Sequence, residues 1–195
     1  MVYSERKIPV PYDGIDINYR GRNREEANQN LGLRSGDSGE MEIKEKIRFQ
    51  DLVQSPVGDP SCKNAVISSW YGYRKFNGRK SFHHAIDIAG PRTCKIVAVY
   101  QGSARTEWYA GNTVSITHNP VIETKYGHTE KYIGIYPRNV NSGEYIMYMG
   151  CSGICNGVHV HFMVLENGKS VDPWKYFGQY FKDMNRLKGL KKHQN

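Results

Sequence analysis

The residues best suited to chemistry in this 195-residue chain are its seven histidines, and several of them fall in ordered clusters. The most informative run is Val158-His159-Val160-His161-Phe162-Met163-Val164. In a strand, successive side chains leave opposite faces. Val158, Val160, Phe162 and Val164 then form one apolar face suited to a core, while His159 and His161 project together from the other. Histidine is the commonest metal-binding side chain, and three protein ligands with one open water position define a catalytic zinc site. Alone, a His-x-His pair fits two surface histidines better. The second cluster is FHHAIDIAGP, in which His83 and Asp87 lie four residues apart and Ile86 and Ile88 flank the aspartate as at the start of a buried strand. A straight strand would hold His83 and Asp87 about 13 Å apart. They reach one ion only if the chain bends between them, with His83 in the loop entering the strand. Alone, this pair reads as a surface histidine and a turn-capping aspartate. The third cluster is KYGHTE, where strand parity puts Tyr126 and His128 on one face. Of the others, His84 should face away from His83, His118 aligns with Val114 and Ile116 as a structural residue, and His193 lies in the tail.

These side chains need a rigid frame, and its pattern is visible from about Gln54 onward. Short apolar runs (AVISSWYGYR, HAIDIAGP, KIVAVYQG, NTVSITHNP, EYIMYMG, VHVHFMVLENGK) alternate with Gly, Pro and Asn turns. Strands of this length at this spacing predict a mainly β, antiparallel domain. After Asp172-Pro173, the segment beginning WKYFGQYFK predicts a short helix, ending in a basic tail of Lys182, Arg186, Lys188, Lys191 and Lys192. Residues 1–40 are polar and carry no sustained helical or strand period; MEIKEKIRFQDLVQ after them fits neither period cleanly. The expected organisation is an N-terminal docking arm over 1–54, a catalytic domain over 55–178 and a basic tail over 179–195.

The order H-x3-D, then Y-x-H, then G-x-H-x-H-F resembles the lysostaphin/LytM-type zinc endopeptidases, which hydrolyse bacterial peptidoglycan. The resemblance covers roughly residues 55–178. ISSWYGYR followed by a glycine-containing turn, FHHAIDIAGPRTCKIVAVYQG, SGEYIMYMGCSG, GVHVHFMV and the closing NGKSVDPWKYF follow that family's pattern in order. It implies a compact antiparallel β domain with an open groove. It also implies one zinc ion per chain held by His83, Asp87 and His161, with His128 and His159 as catalytic histidines. Two neutral imidazoles and one carboxylate would leave the zinc net positive, lowering the pKa of its bound water. His159 or His128 could take that water's proton while the other stabilises the oxyanion or protonates the leaving amine. The sequence departs from the family at Ala85, where glycine is usual, and at Cys151 and Cys155, in a loop usually rich in Gly, Ser and Thr.

Bulk properties narrow the setting. With 24% charged and 38% hydrophobic residues, 20 glycines and 14 tyrosines, the chain suits a soluble, loop-rich β protein. No apolar run approaches the roughly 20 residues of a membrane span. Residues 1–60 hold 9 Lys/Arg and 11 Asp/Glu, a net of −2, against 18 and 8, a net of +10, in residues 61–195. The basic part would be drawn to a polyanion such as an acid-rich wall; its tail lacks the interleaved aromatics of a nucleic-acid binder. Four cysteines are too few for a disulfide scaffold; Cys151 and Cys155 could close a small loop in an oxidising compartment, and buried or free thiols fit the sequence equally well. The opening MVYSERK carries three charges with no apolar stretch behind it, which reads as no secretory leader. The expectation is therefore a virion lysin at a phage tail tip, attached to tail proteins through its arm. The alternatives are an endolysin released from the host cytoplasm, a component of a secretion or conjugation machine, and an inactive wall-binding virion component of the same fold.

Overall fold

A computed structural model describes residues 54–76, 78–182 and 184, Phe76 by its backbone alone. The expected docking arm, apart from Gln54, and the end of the basic tail lie outside the described residues.

The period-2 pattern around the His-x-His run decides the centre of the fold. His159–Glu166 forms a strand, β12 in chain order, in which Val160, Phe162 and Val164 are fully buried while His159 and His161 reach the other face, partly exposed. On one side β12 pairs with β4 (Ile86–Ala89) through its first half and with β13 (Lys169–Val171) through its second; on the other it pairs with β8 (Ile122–Gly127). The sheet runs β1 (Val66–Ser69), β4, β12, β8, β7 (Gly111–Thr117), β6 (Gly102–Tyr109) and β10 (Arg138–Val140), every pairing antiparallel. A hairpin of β2 (Gly72–Phe76) and β3 (Arg79–His83) stands beside it. So does a three-stranded sheet of β5 (Lys95–Val97), β11 (Tyr145–Tyr148) and β9 (Lys131–Tyr132). The expected antiparallel β architecture is thus the one that forms.

A short helix, α1 (Trp174–Lys182), closes the apolar face. Asp172 starts it by accepting the Trp174 N–H through Oδ1 at 2.9 Å, a capping contact that satisfies one of the helix's free donors. Its buried Phe177 ring meets Phe162 of β12 edge-on with centroids 5.0 Å apart, and Phe181 is buried as well. The helix therefore continues past residue 178 as part of the folded domain.

Two local expectations need correction, and the open state of the cysteines is decided. His83 is the last residue of β3 instead of a loop residue, and the chain turns at His84-Ala85 before entering β4. Parity does not extend from Tyr126 to His128, because β8 stops at Gly127 and His128 takes a left-handed φ of 66°. Tyr126 consequently enters the core beside Phe162, with ring centroids 5.3 Å apart, whereas His128 turns to the histidine-bearing face. The four cysteines form two disulfides: Cys151–Cys155 closes the small loop, and Cys62–Cys94 joins two buried positions that spacing alone did not pair.

Candidate metal centre and cleft

Strand register assembles the site. Asp87 of β4 lies directly across from His161 of β12, and His161 lies across from Gly127 of β8. Side chains of such pairs on one face stand about 4.5–5.5 Å apart at Cβ, so Asp87 and His161 are neighbours by construction. Gly127 is required at the third place in this row: a Cβ there would sit 2.7 Å from the Ala110 Cβ and 3.3 Å from that of His161. The next residue is His128, which its left-handed φ swings towards the same row. His83 arrives from the hairpin through the turn before β4.

The resulting separations are short. His83 Nε2 lies 3.1 Å from Asp87 Oδ1 and 3.3 Å from His161 Nδ1, and His161 Nδ1 lies 2.9 Å from the same carboxylate oxygen. These three atoms can hold a metal ion. His83 Nδ1 donates to the Trp70 carbonyl at 2.8 Å, because a carbonyl can only accept. A neutral His83 then has no proton left on Nε2, and two lone pairs face each other across the 3.1 Å to Asp87. A shared cation satisfies that arrangement. Burial would raise the Asp87 pKa, but where the His161 and His83 rings carry protons towards it they donate to the carboxylate and hold it far below its usual range. Burial pushes the His161 pKa down, against the opposing pull of Asp87.

His128 and His159 stand beside this trio with ring centroids 4.4 Å apart, and His159 Nε2 is 3.6 Å from Asp87 Oδ1. Each anchors its Nδ1–H on a backbone carbonyl, His128 on Ser152 at 2.8 Å and His159 on Gly157 at 2.7 Å. Both rings are thereby held in the tautomer whose Nε2 is free to take a proton. Burial lowers the His128 pKa despite the Ser152 carbonyl, which favours the neutral ring near pH 7. Four of the five expected site residues, Asp87, His128, His159 and His161, line one cleft of about 730 Å³, walled also by Arg74, Trp108, Tyr109 and Ile154, with His83 buried behind Asp87 and His161.

The remaining histidines among the described residues, His84 and His118, take no part. His84 is exposed and its Nδ1 meets the Ser170 hydroxyl at 2.6 Å. His118 is buried elsewhere, bound to the Gln101 carbonyl and 2.8 Å from Thr124 Oγ1. Sequence reasoning missed Arg74, whose Nη1 donates to Asp87 Oδ2 at 2.9 Å and to Ser69 Oγ at 2.6 Å. It also missed the three carbonyls that orient the histidines. Arg74 lies inside the WYGYR run already singled out, but nothing local to that run shows where its side chain goes.

Known proteins resemble this chain. Residues 81–173 match the profile described as Peptidase family M23. Peptidoglycan DD-endopeptidase ShyB of Vibrio cholerae is 34% identical over 101 residues, covering 50% of this chain and 24% of that protein. Murein hydrolase activator NlpD of Salmonella typhimurium is 29% identical over 136 residues, covering 64% of this chain and 35% of that protein. The crystal structure of a zinc containing peptidase from Vibrio cholerae superposes with a TM-score of 0.51 at 31% identity, covering 62% of this chain and 39% of that one. The chain spans about a quarter to a third of the length of the curated relatives it matches. Sequence profile, relatives and fold converge: residues 81–173 are a Peptidase family M23 domain, and the fold is that of the lysostaphin/LytM-type proteins.

Proposed function

We propose that this chain is a zinc-dependent endopeptidase that hydrolyses peptide bonds in the stem peptides or cross-bridges of bacterial peptidoglycan. The observation that carries the reading is the convergence of three donor atoms, beside two carbonyl-anchored imidazoles, at one cleft. The donor separations of 2.9 to 3.3 Å approach the edge, about 3.3 Å, of a tetrahedron with zinc bonds of about 2.0–2.1 Å. His83, Asp87 and His161 are the proposed ligands. When bound, zinc supplies a Lewis acid that polarises a carbonyl and acidifies water.

The protein's own groups account for the proton traffic. The free Nε2 of His128 or His159 accepts the proton of the attacking water, and the resulting imidazolium returns one to the departing amine. The second ring, as the imidazolium, donates its Nε2–H to the carbonyl oxygen as negative charge develops there. The anchored Nδ1–H groups keep both rings in register for these transfers. Arg74 holds Asp87 by the oxygen that does not face the histidines.

The test is digestion of defined peptidoglycans, with products identified by mass spectrometry, for wild type and His161→Ala. Equal activity in the two proteins, or no zinc in the active one, contradicts the proposal. A second reading follows from the likeness to NlpD, an activator of murein hydrolases: a wall-binding module without hydrolysis of its own. The same digestion, with no products from wild type, would favour it. We place the enzyme on a phage tail; its absence from purified virions by immunoblot would overturn that placement.

A further inference from the structure

The cysteines stand where the resembled family uses Gly, Ser and Thr, and the loop they close, with the two residues that follow it, supplies the carbonyls under both candidate catalytic histidines. Ser152, immediately after Cys151, accepts from His128 Nδ1; Gly157, two residues beyond Cys155, accepts from His159 Nδ1. The same loop grips the His128 turn further: Ser152 N–H donates to the His128 carbonyl at 3.2 Å, and Ser152 Oγ accepts from Asn112 N–H at 2.9 Å. Past Ser152 the loop runs through solvent. Gly153, Ile154, Asn156 and Gly157 are exposed, Ile154 by 85%, and both glycines take positive φ. An exposed loop with two such glycines gains conformational freedom readily, and the disulfide is the covalent restraint across it.

We infer that the Cys151–Cys155 disulfide is a positioning element for His128 and His159, so that hydrolysis depends on an oxidised loop. The inference rests on the catalytic reading of those two histidines. With the bond intact, the Ser152 and Gly157 carbonyls stay where the two Nδ1–H groups need them. Once it opens, the loop samples other conformations and each ring can rotate or change tautomer. The ligand trio is held separately, by the Trp70 carbonyl, Arg74 and strand register, so metal binding survives. Cys151 and Cys155 are partly exposed and Cys155 lines the cleft, whereas Cys62 and Cys94 are 2% and 0% exposed. A dithiol reductant therefore reaches the loop first. It delivers two electrons and two protons, leaving two protein thiols and its own disulfide. An enzyme built this way is weak in a reducing cytoplasm and active at the oxidising cell exterior.

The experiment compares the full-length zinc-loaded chain, oxidised, with its Cys151→Ser/Cys155→Ser variant and with dithiol-treated wild type. Thiol alkylation and mass spectrometry locate the open bond. We expect kcat to fall about ten- to a hundredfold, the usual cost of losing a group that orients a site residue, with KM and bound zinc unchanged. In metal-free protein, nitrogen-15 spectra of the imidazoles should show the Nδ1–H form at His128 and His159 when oxidised and a tautomer mixture when reduced. Unchanged kcat and unchanged tautomers overturn the inference. So does a loss of activity matched by loss of zinc or of melting temperature, since that is general destabilisation. The tautomer measurement needs no catalysis, so failure of the enzyme reading is distinguishable from failure of this one.

Discussion

Arg74 and Asp87 form an ion pair, with Arg74 Nη1 2.9 Å from Asp87 Oδ2, while Oδ1 of the same carboxylate faces His83 and His161. The carboxylate is thus divided between a permanent cation on one oxygen and the candidate metal centre on the other. Such partners fix a ligand's orientation and are worth about 10- to 100-fold in metal affinity or activity. Arg74→Ala should weaken zinc binding by about that factor in a chelator competition assay while the protein still folds. Affinity equal to wild type would show that Arg74 does not hold the ligand.

His161 and His128 are expected to separate binding from catalysis. His161→Ala removes one of three donor atoms and should abolish both stoichiometric zinc and peptidoglycan hydrolysis. His128→Ala leaves the trio intact, so zinc should remain bound while kcat falls by about 10²- to 10⁴-fold, the usual contribution of a positioned acid–base group. Metal analysis alongside turnover reads both outcomes. Loss of zinc from the His128 variant would mean that His128 belongs to the metal centre.

His118 sets part of the acid sensitivity. Burial lowers its pKa from 6.5 to about 4. The unfolded chain therefore takes up this proton near pH 6.5 and the folded chain only near pH 4. The neutral ring's contribution is complete above pH 6.5 and is lost as pH falls towards 4, about 3 kcal/mol at about 1.4 kcal/mol per pH unit. In urea titrations across this window, His118→Gln should show a shallower decline of stability than wild type. An identical decline would remove His118 as a cause.

Cys62–Cys94 is expected to act on stability and not on the cleft. It joins buried residues 32 positions apart in sequence, and closing a loop of that length is worth about 3–4 kcal/mol in the chain-entropy account. Cys62→Ala/Cys94→Ala should lower the unfolding free energy by about that amount in denaturant while leaving kcat per folded molecule unchanged. A fall in kcat without loss of stability would tie this bond to catalysis.

Much of this fold could be read locally. The alternation in Val158–Val164 predicted both the buried face of β12 and the pair of histidines opposite it, since strand parity is a property of a few consecutive residues. The same rule failed on the neighbouring strand, at Tyr126 and His128, because one left-handed residue after Gly127 ended the strand and cancelled the parity. The bend between His83 and Asp87 was required by distance, yet spacing could not show that a β-hairpin would deliver His83 to it.

The sequence by itself determined the inventory: which side chains could bind metal or move protons, the β architecture, and the family resemblance that named five of them. Tertiary structure alone decided convergence and orientation. Asp87 and His161 meet across 74 positions through strand register, and Arg74 reaches Asp87 from a separate hairpin. His83, His128 and His159 each take their tautomer from a main-chain carbonyl, at Trp70, Ser152 and Gly157. Every residue carries such a carbonyl, so no residue type marks the one that will be used; only the folded path of the backbone brings the acceptor to the ring.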